Sequence, residues 1–237
     1  MYNFQYANPT RICFGEGQIA TLPELVPAGS RLLVLYGGGS IKQNGVYEQL
    51  TQALAGREWL EFPGIGANPQ YDQLMEAVAL VKRERIDFLL AVGGGSVVDG
   101  TKFVAAPACF EGEDPWEILL DKAPVKAALP LGCVLTLPAT GSESNPAAVV
   151  SRGEAKLSFY NPLVLPRFAV LDPTTTYSLP PRQVGNGVVD AFVHILEQYL
   201  TFPVGGEVQD RLAEGLLQVL VDNGPRALTE PTNYQVR

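Results

Sequence analysis

Phe88-Leu89-Leu90-Ala91-Val92-Gly93-Gly94-Gly95-Ser96-Val97-Val98-Asp99-Gly100-Thr101-Lys102 is the stretch on which the fold turns. Five apolar residues run into three glycines, and a helical pattern follows. So short and unbroken an apolar run predicts a strand buried on both faces, the habit of parallel sheets. Glycines behind such a strand let backbone approach a bound group closely. The helix after them offers free amides and a favourable dipole to an anion. Ser96 adds a hydroxyl. Asp99, placed in the first helical turn, is expected to cap the helix or meet a ribose hydroxyl, and Lys102 to steady the turn or a phosphate. The plain alternative is a tight strand-to-helix turn with no ligand. The spacing is neither the Gly-x-Gly-x-x-Gly fingerprint nor a P-loop.

Working outward, similar apolar runs occur at 32–36, 133–137 and 168–171, with a weaker one at 59–62. Between them lie helical stripes, Val46, Leu50, Ala53 and Leu54 in one, Leu74, Ala77, Val78 and Val81 in another. Alternating strands and helices predict an α/β domain with a doubly wound, mostly parallel sheet, whose ligands bind beyond the carboxyl ends of the strands. A second glycine segment, Gly37-Gly38-Gly39-Ser40, falls at such an end. The plain alternative is again a turn. As a cofactor subsite it would take an adenosine end. No carboxylate follows the strand to grip a ribose 2′-hydroxyl, whereas glycine amides, Ser40 and Lys42 offer donors. Donors suit a 2′-phosphate, so NADP(H) is favoured over NAD(H). Past Leu171 the pattern becomes helical, at 186–200 and 207–220. Two domains are expected: 1–178, a dinucleotide-binding α/β domain, and 179–237, the start of a helical one. Two helices rarely make an independent core, so the chain is expected to be part of a longer protein.

With 46% hydrophobic and 18% charged residues among 237, a sizeable core is expected and wholesale disorder is not. A formal charge of −8 argues against nucleic acid and anionic lipid as partners. The N-terminus lacks the basic and apolar regions of a leader, and no apolar run has membrane-spanning length. A cytoplasmic protein is expected. Cys13, Cys109 and Cys133 match no metal knuckle and read as reduced thiols.

Two further segments carry polar side chains of chemical interest. Thr136-Leu137-Pro138-Ala139-Thr140-Gly141-Ser142-Glu143-Ser144-Asn145 ends an apolar run in small hydroxyl residues, which by themselves suit a polar loop. In Asn186-Gly187-Val188-Val189-Asp190-Ala191-Phe192-Val193-His194, Asp190 and His194 share one helix face among apolar neighbours. A carboxylate on a buried helix is costly unless paired or metal-bound. The spacing suits two ligands of one divalent metal, and equally a buried Asp–His hydrogen bond. His194 is the sequence's one histidine.

Together with Leu171-Asp172-Pro173 and Leu179-Pro180-Pro181-Arg182-Gln183-Val184, these segments resemble the iron-containing (group III) alcohol dehydrogenases, especially their NADPH-dependent aldehyde reductase and butanol dehydrogenase branch. The resemblance implies a dehydroquinate synthase-like dinucleotide domain. It implies that Gly93, Gly94, Gly95 and Ser96 hold the pyrophosphate beside Asp99, and that Gly37, Gly38, Gly39 and Ser40 take the adenosine end. Thr136, Leu137, Thr140 and Ser142 are implied on the nicotinamide side, Lys156 at the nicotinamide ribose, and Asp190 and His194 as metal ligands for iron or zinc. The family completes its metal site with two further histidines, which this sequence lacks, so weak metal binding is expected of it. The implied activity is hydride transfer between NADP(H) and an aldehyde or primary alcohol, in a homodimer. Two alternatives stand: a related fold acting on a phosphorylated polyol, and an inactive dinucleotide-binding fragment.

Overall fold

The computed structural model describes residues 3–202 and 205–237. In chain order the elements are β1 (Arg11–Phe14), α1 (Leu22–Leu25), β2 (Leu32–Tyr36), α2 (Val46–Ala53), β3 (Trp59–Phe62), α3 (Tyr71–Glu84), β4 (Phe88–Gly94), α4 (Gly95–Ala108), α5 (Trp116–Leu119), β5 (Leu131–Leu137), β6 (Ala147–Arg152), β7 (Ala155–Tyr160), β8 (Phe168–Leu171), α6 (Pro181–Tyr199) and α7 (Glu207–Thr229). The chain divides into two compact units. One is Asn8–Thr175, and the other takes in Thr176–Arg237 with the chain up to Ala7.

In the first unit six strands form one sheet in the order β1-β8-β5-β4-β2-β3, and every pairing in it is parallel. The apolar runs therefore sit where continuous apolarity is required. Alternate residues of each strand face opposite sides. Leu33, Leu35, Leu89, Ala91, Leu131, Cys133 and Ala169 pack with α3 and α4. Leu32, Val34, Phe88, Leu90, Val92, Val134, Phe168 and Val170 pack with Leu22 of α1 and with Val46 and Leu50 of α2. The α3 stripe Leu74, Ala77, Val78 and Val81 is buried. Two parts of the sheet structure stand apart from the long apolar runs. Edge strand β1 buries only Cys13, and β6 and β7 form a separate antiparallel hairpin. Polar residues such as Lys156 and Ser158 interrupt the hairpin's pattern. Its signal is the two-residue loop Gly153-Glu154, with Gly153 at φ 59°.

One core position shows how closely the sheet is fitted. The Phe168 ring of β8 reaches across β5 to stack on Phe88 of β4, with centroids 6.1 Å apart. It passes over Gly132, where a Cβ would lie 2.2–2.5 Å from the ring.

In the second unit α6 packs on α7. Gly224 allows the approach, since a Cβ there would meet Val188 at 2.6 Å. No helix among the described residues is long and apolar enough to cross a membrane.

Gly132→Ala should lower stability by about 1–3 kcal/mol through overpacking. A urea midpoint equal to that of the parent would refute the fit described around Phe168.

Candidate functional site

β2 and β4 are neighbours, with Tyr36 paired to Val92. Beyond that pair the chains part. β2 leads outward to β3, and β4 leads the other way, to β5. Such a reversal opens a crevice at the carboxyl end of an α/β sheet. Gly37 and Gly93 are the residues that immediately follow the pair, so both glycine segments stand at the crevice. Val97 touches both: a Cβ on Gly37 would lie 3.7 Å from it, and one on Gly93 only 2.6 Å.

Little loop separates β4 from α4. The strand runs to Gly94 and the helix starts at Gly95. Gly94 precedes the helix in extended conformation (φ −87°, ψ −174°), and no side chain caps the helix there. The first amides of α4 are thus left to a ligand or solvent. A Cβ on Gly94 would press on Leu137 at 3.2 Å, and one on Gly95 would meet the Thr140 hydroxyl at 2.9 Å. Gly94 and Gly95 therefore let Leu137 and Thr140 close tightly onto the start of α4. At the other turn, Gly39 is left-handed (φ 96°), and Gly38 and Gly39 face open space. These are features of an anion or dinucleotide cradle.

The structure corrects the expectation for Asp99. It lies beyond the first turn of α4, which holds no acidic residue. Its carboxylate instead accepts hydrogen bonds from Ser142 Oγ (2.5 Å) and the Val149 amide (3.1 Å). Lys102 likewise points inward. Its fully buried ammonium donates to Ser142 Oγ (2.9 Å), Asn145 Oδ1 (3.1 Å) and the Ala147 carbonyl (2.7 Å). The helix periodicity explains both. Positions 99 and 102 lie three apart on the face of α4 turned to the segment between β5 and β6. Burial pulls the Lys102 pKa down to about 8, against the pull of Asp99. Burial also raises Asp99, despite the Ser142 hydrogen bond and the Lys102 charge. Three side chains thus fasten the Thr140-bearing segment to the helix that follows the glycines.

Of the remaining candidates, Thr136 and Leu137 end β5, and Ser96 lies in the first turn of α4. Lys156 is exposed on β7, and its ammonium donates to Asn68 Oδ1 at 2.7 Å. Ser40 opens a short 3-10 turn with Lys42 at its end. Lys42 is paired with Glu61 of β3 at 3.0 Å. Sequence reasoning passed over Glu61 because it looked along β2 and its loop, and Glu61 arrives by strand pairing opposite Val34.

Asp190 and His194 lie on α6 in the second unit. The expectation of a buried pair is corrected: α6 has no buried residue, and the Asp190 and His194 side chains are 47% and 53% exposed. An apolar stripe buries nothing without a partner along its whole length, and Val189 and Val193 remain exposed as well. Asp190 Oδ2 and His194 Nε2 are 3.6 Å apart. An oxygen and an imidazole nitrogen at that separation suit two adjacent positions around one divalent ion. No cluster of three or more His, Cys, Asp or Glu that could hold a metal occurs among the described residues. The pair fits part of a coordination sphere, and the described residues do not complete it.

Comparison with known proteins matches residues 9–173 to the model of the iron-containing alcohol dehydrogenase family. The chain is 58% identical over its whole length to the NADPH-dependent aldehyde reductase YqhD of Escherichia coli strain K12, covering 62% of that protein. It is 43% identical, with the same coverage of both, to the probable NADH-dependent butanol dehydrogenase 1 of Bacillus subtilis strain 168. A crystal structure of Escherichia coli YqhD superposes with a TM-score of 0.95 at 57% identity, over 99% of this chain and 61% of that one. The chain thus spans about 62% of the length of the curated relatives it matches.

Lys102 generates a pH prediction. The folded protein releases its proton near pH 8, whereas the unfolded chain holds it to about 10.5. Between those values the unfolded state binds more protons, so stability at this site rises with pH. The difference in unfolding free energy between the parent and Lys102→Met should therefore grow from pH 8 towards pH 10. A flat difference would contradict the assignment.

Proposed function

Because the chain belongs to the iron-containing alcohol dehydrogenase family, we propose that it serves metal-dependent hydride transfer between NADP(H) and an aldehyde or primary alcohol. The observation that carries the cofactor reading is the uncapped helix start at Gly94 and Gly95. There an uncapped fourteen-residue helix begins beside Thr140, at a crevice that the Gly37–Gly39 turn shares. The amides of Gly95 and Ser96 and the helix dipole hold the pyrophosphate. Gly38 and Gly39 admit the adenosine end, with the Ser40 hydroxyl as donor. Thr136, Leu137 and Thr140 face the nicotinamide side, and Lys156 donates to its ribose. Asp99 and Ser142 act one step back, by holding the Thr140 segment. Preference for the 2′-phosphorylated cofactor follows from the donors at the Gly37 turn. The relatives' names point both ways, one NADPH-dependent and one NADH-dependent.

Asp190 and His194 would hold a divalent ion through one oxygen and one nitrogen, a donor pair that suits iron and zinc alike. When bound, the cofactor supplies the hydride and the metal supplies Lewis acidity. The protein's own part is to fix the dinucleotide against the sheet end and to keep the Asp190 carboxylate and the His194 ring on one helix face.

Two measurements test the reading. NADPH should quench protein fluorescence on binding. Gly95→Ala should weaken that binding about tenfold, or ~1.4 kcal/mol, by pressing a methyl group against the Thr140 hydroxyl beside the helix amides. Its melting temperature should stay close to that of the parent, since alanine suits a helix start. Unchanged affinity would remove the cradle assignment. Asp190→Ala should lower iron or zinc content in elemental analysis, and equal content in variant and parent would remove the ligand assignment.

A further inference from the structure

Near the Gly37–Gly39 turn three segments converge on a carboxylate carried by a fourth. Glu61 of β3 accepts from Tyr36 Oη at 2.5 Å and from Lys42 Nζ at 3.0 Å on one oxygen, and from Tyr47 Oη at 2.5 Å on the other. Tyr36 is the last residue of β2, Lys42 ends the 3-10 turn, and Tyr47 lies in the first turn of α2. The Lys42 ammonium also lies over both phenol rings, 4.6 Å from the centroid of Tyr47 and 5.3 Å from that of Tyr36. Burial works against ionisation of Glu61, but the donors from Tyr36, Tyr47 and Lys42 outweigh it and hold its pKa below the usual carboxylate value. The carboxylate is therefore ionised and fixed, and the lysine is fixed by it. Lys42 is the one basic residue between Arg31 and Arg57 in the sequence. Its Cα is anchored three residues from Gly39, whose carbonyl accepts the Lys42 amide at 3.0 Å.

We propose that Glu61 sets how strongly the Gly37–Ser40 turn discriminates NADP(H) from NAD(H), by binding the Lys42 ammonium into a charge-balanced pair rather than leaving it free for the 2′-phosphate. The inference rests on the dinucleotide reading above and deepens it. An ion pair 3.0 Å long acts on a more distant phosphate as a dipole, so most of the attraction of the cation is cancelled. Selection of the phosphate then falls to the backbone amides and the Ser40 hydroxyl, and Glu61 restrains it. Glu61→Gln keeps the shape, with an oxygen to accept from one tyrosine hydroxyl and an amide to donate to the other, while removing the negative charge. The Lys42 charge is then unbalanced beside the turn. NADH, with a hydroxyl in place of the phosphate, does not respond to that change.

The test is a set of NADPH and NADH titrations by fluorescence at low salt, on the whole chain. Glu61→Gln should lower the Kd for NADPH about three- to tenfold and leave that for NADH within about twofold. The gain should shrink in 1 M salt, where the Debye length is about 3 Å. Adding Lys42→Met to Glu61→Gln should abolish it. Glu58→Gln removes the same unit of charge from a side chain 87% exposed at the other end of the sheet, and should leave the ratio unchanged. An unchanged or reduced preference for NADPH in Glu61→Gln would overturn the proposal, as would an equal gain in Glu58→Gln. If Glu61→Gln does not fold, Lys42→Met alone carries the test. With the carboxylate left unopposed, NADPH affinity should fall while NADH holds, and no fall overturns the proposal. Failure of the parent to bind either dinucleotide would instead overturn the dinucleotide reading itself.

Discussion

The parallel pairing of Tyr36 with Val92, and the opposite courses the two chains take beyond it, is the constraint on which the site depends. Neither glycine segment is informative alone, since each suits an ordinary turn. Set side by side at the end of a buried sheet, they line one crevice. Val97 enforces the arrangement. It fills the volume that any side chain at Gly93 would need, which draws the first turn of α4 down onto the strand end. The helix amides then face outward with no side chain to cap them.

A second layer keeps that crevice in shape. Lys102 is an ammonium with no solvent exposure, tolerable only because three acceptors and the nearby Asp99 surround it. Breaking such a group from one side leaves an uncompensated buried charge and typically costs about 3–5 kcal/mol. Apolar residues of similar volume would leave Ser142 and Asn145 unfixed. The polar solution ties the segment carrying Thr140 to the helix that Gly95 begins. Asp172 plays a comparable part elsewhere, with its carboxylate accepting the Gly17 amide at 2.7 Å and both the amide and the hydroxyl of Thr174.

The helical unit differs in kind. Its two helices meet through Gly224 and Val188, yet α6 buries no residue and α7 buries only Gly224 and Ala227. Asp190 and His194 share a face because four residues make about one helical turn. Local geometry therefore suffices to bring two donors together. Completing a coordination sphere needs donors from elsewhere, which no local spacing provides.

Residue pattern alone determined the strands at 32–36 and 168–171, the glycine ends of β2 and β4, the helices around Asp190 and beyond 207, and the resemblance to a family whose membership the comparisons then showed. Those are short-range properties, written in apolar runs, helical periodicity and glycine placement. Edge strand β1 is marked more faintly, by the three-residue apolar run Ile12-Cys13-Phe14, of which Cys13 alone is buried. Tertiary structure alone decided which turn lies beside which, through the sheet order. It turned Asp99 and Lys102 inward, because a helix face takes its direction from what packs against it. It also brought Glu61 to Lys42, nineteen residues apart, through the pairing of β2 with β3. Strand pairing is a contact that spacing in sequence does not encode.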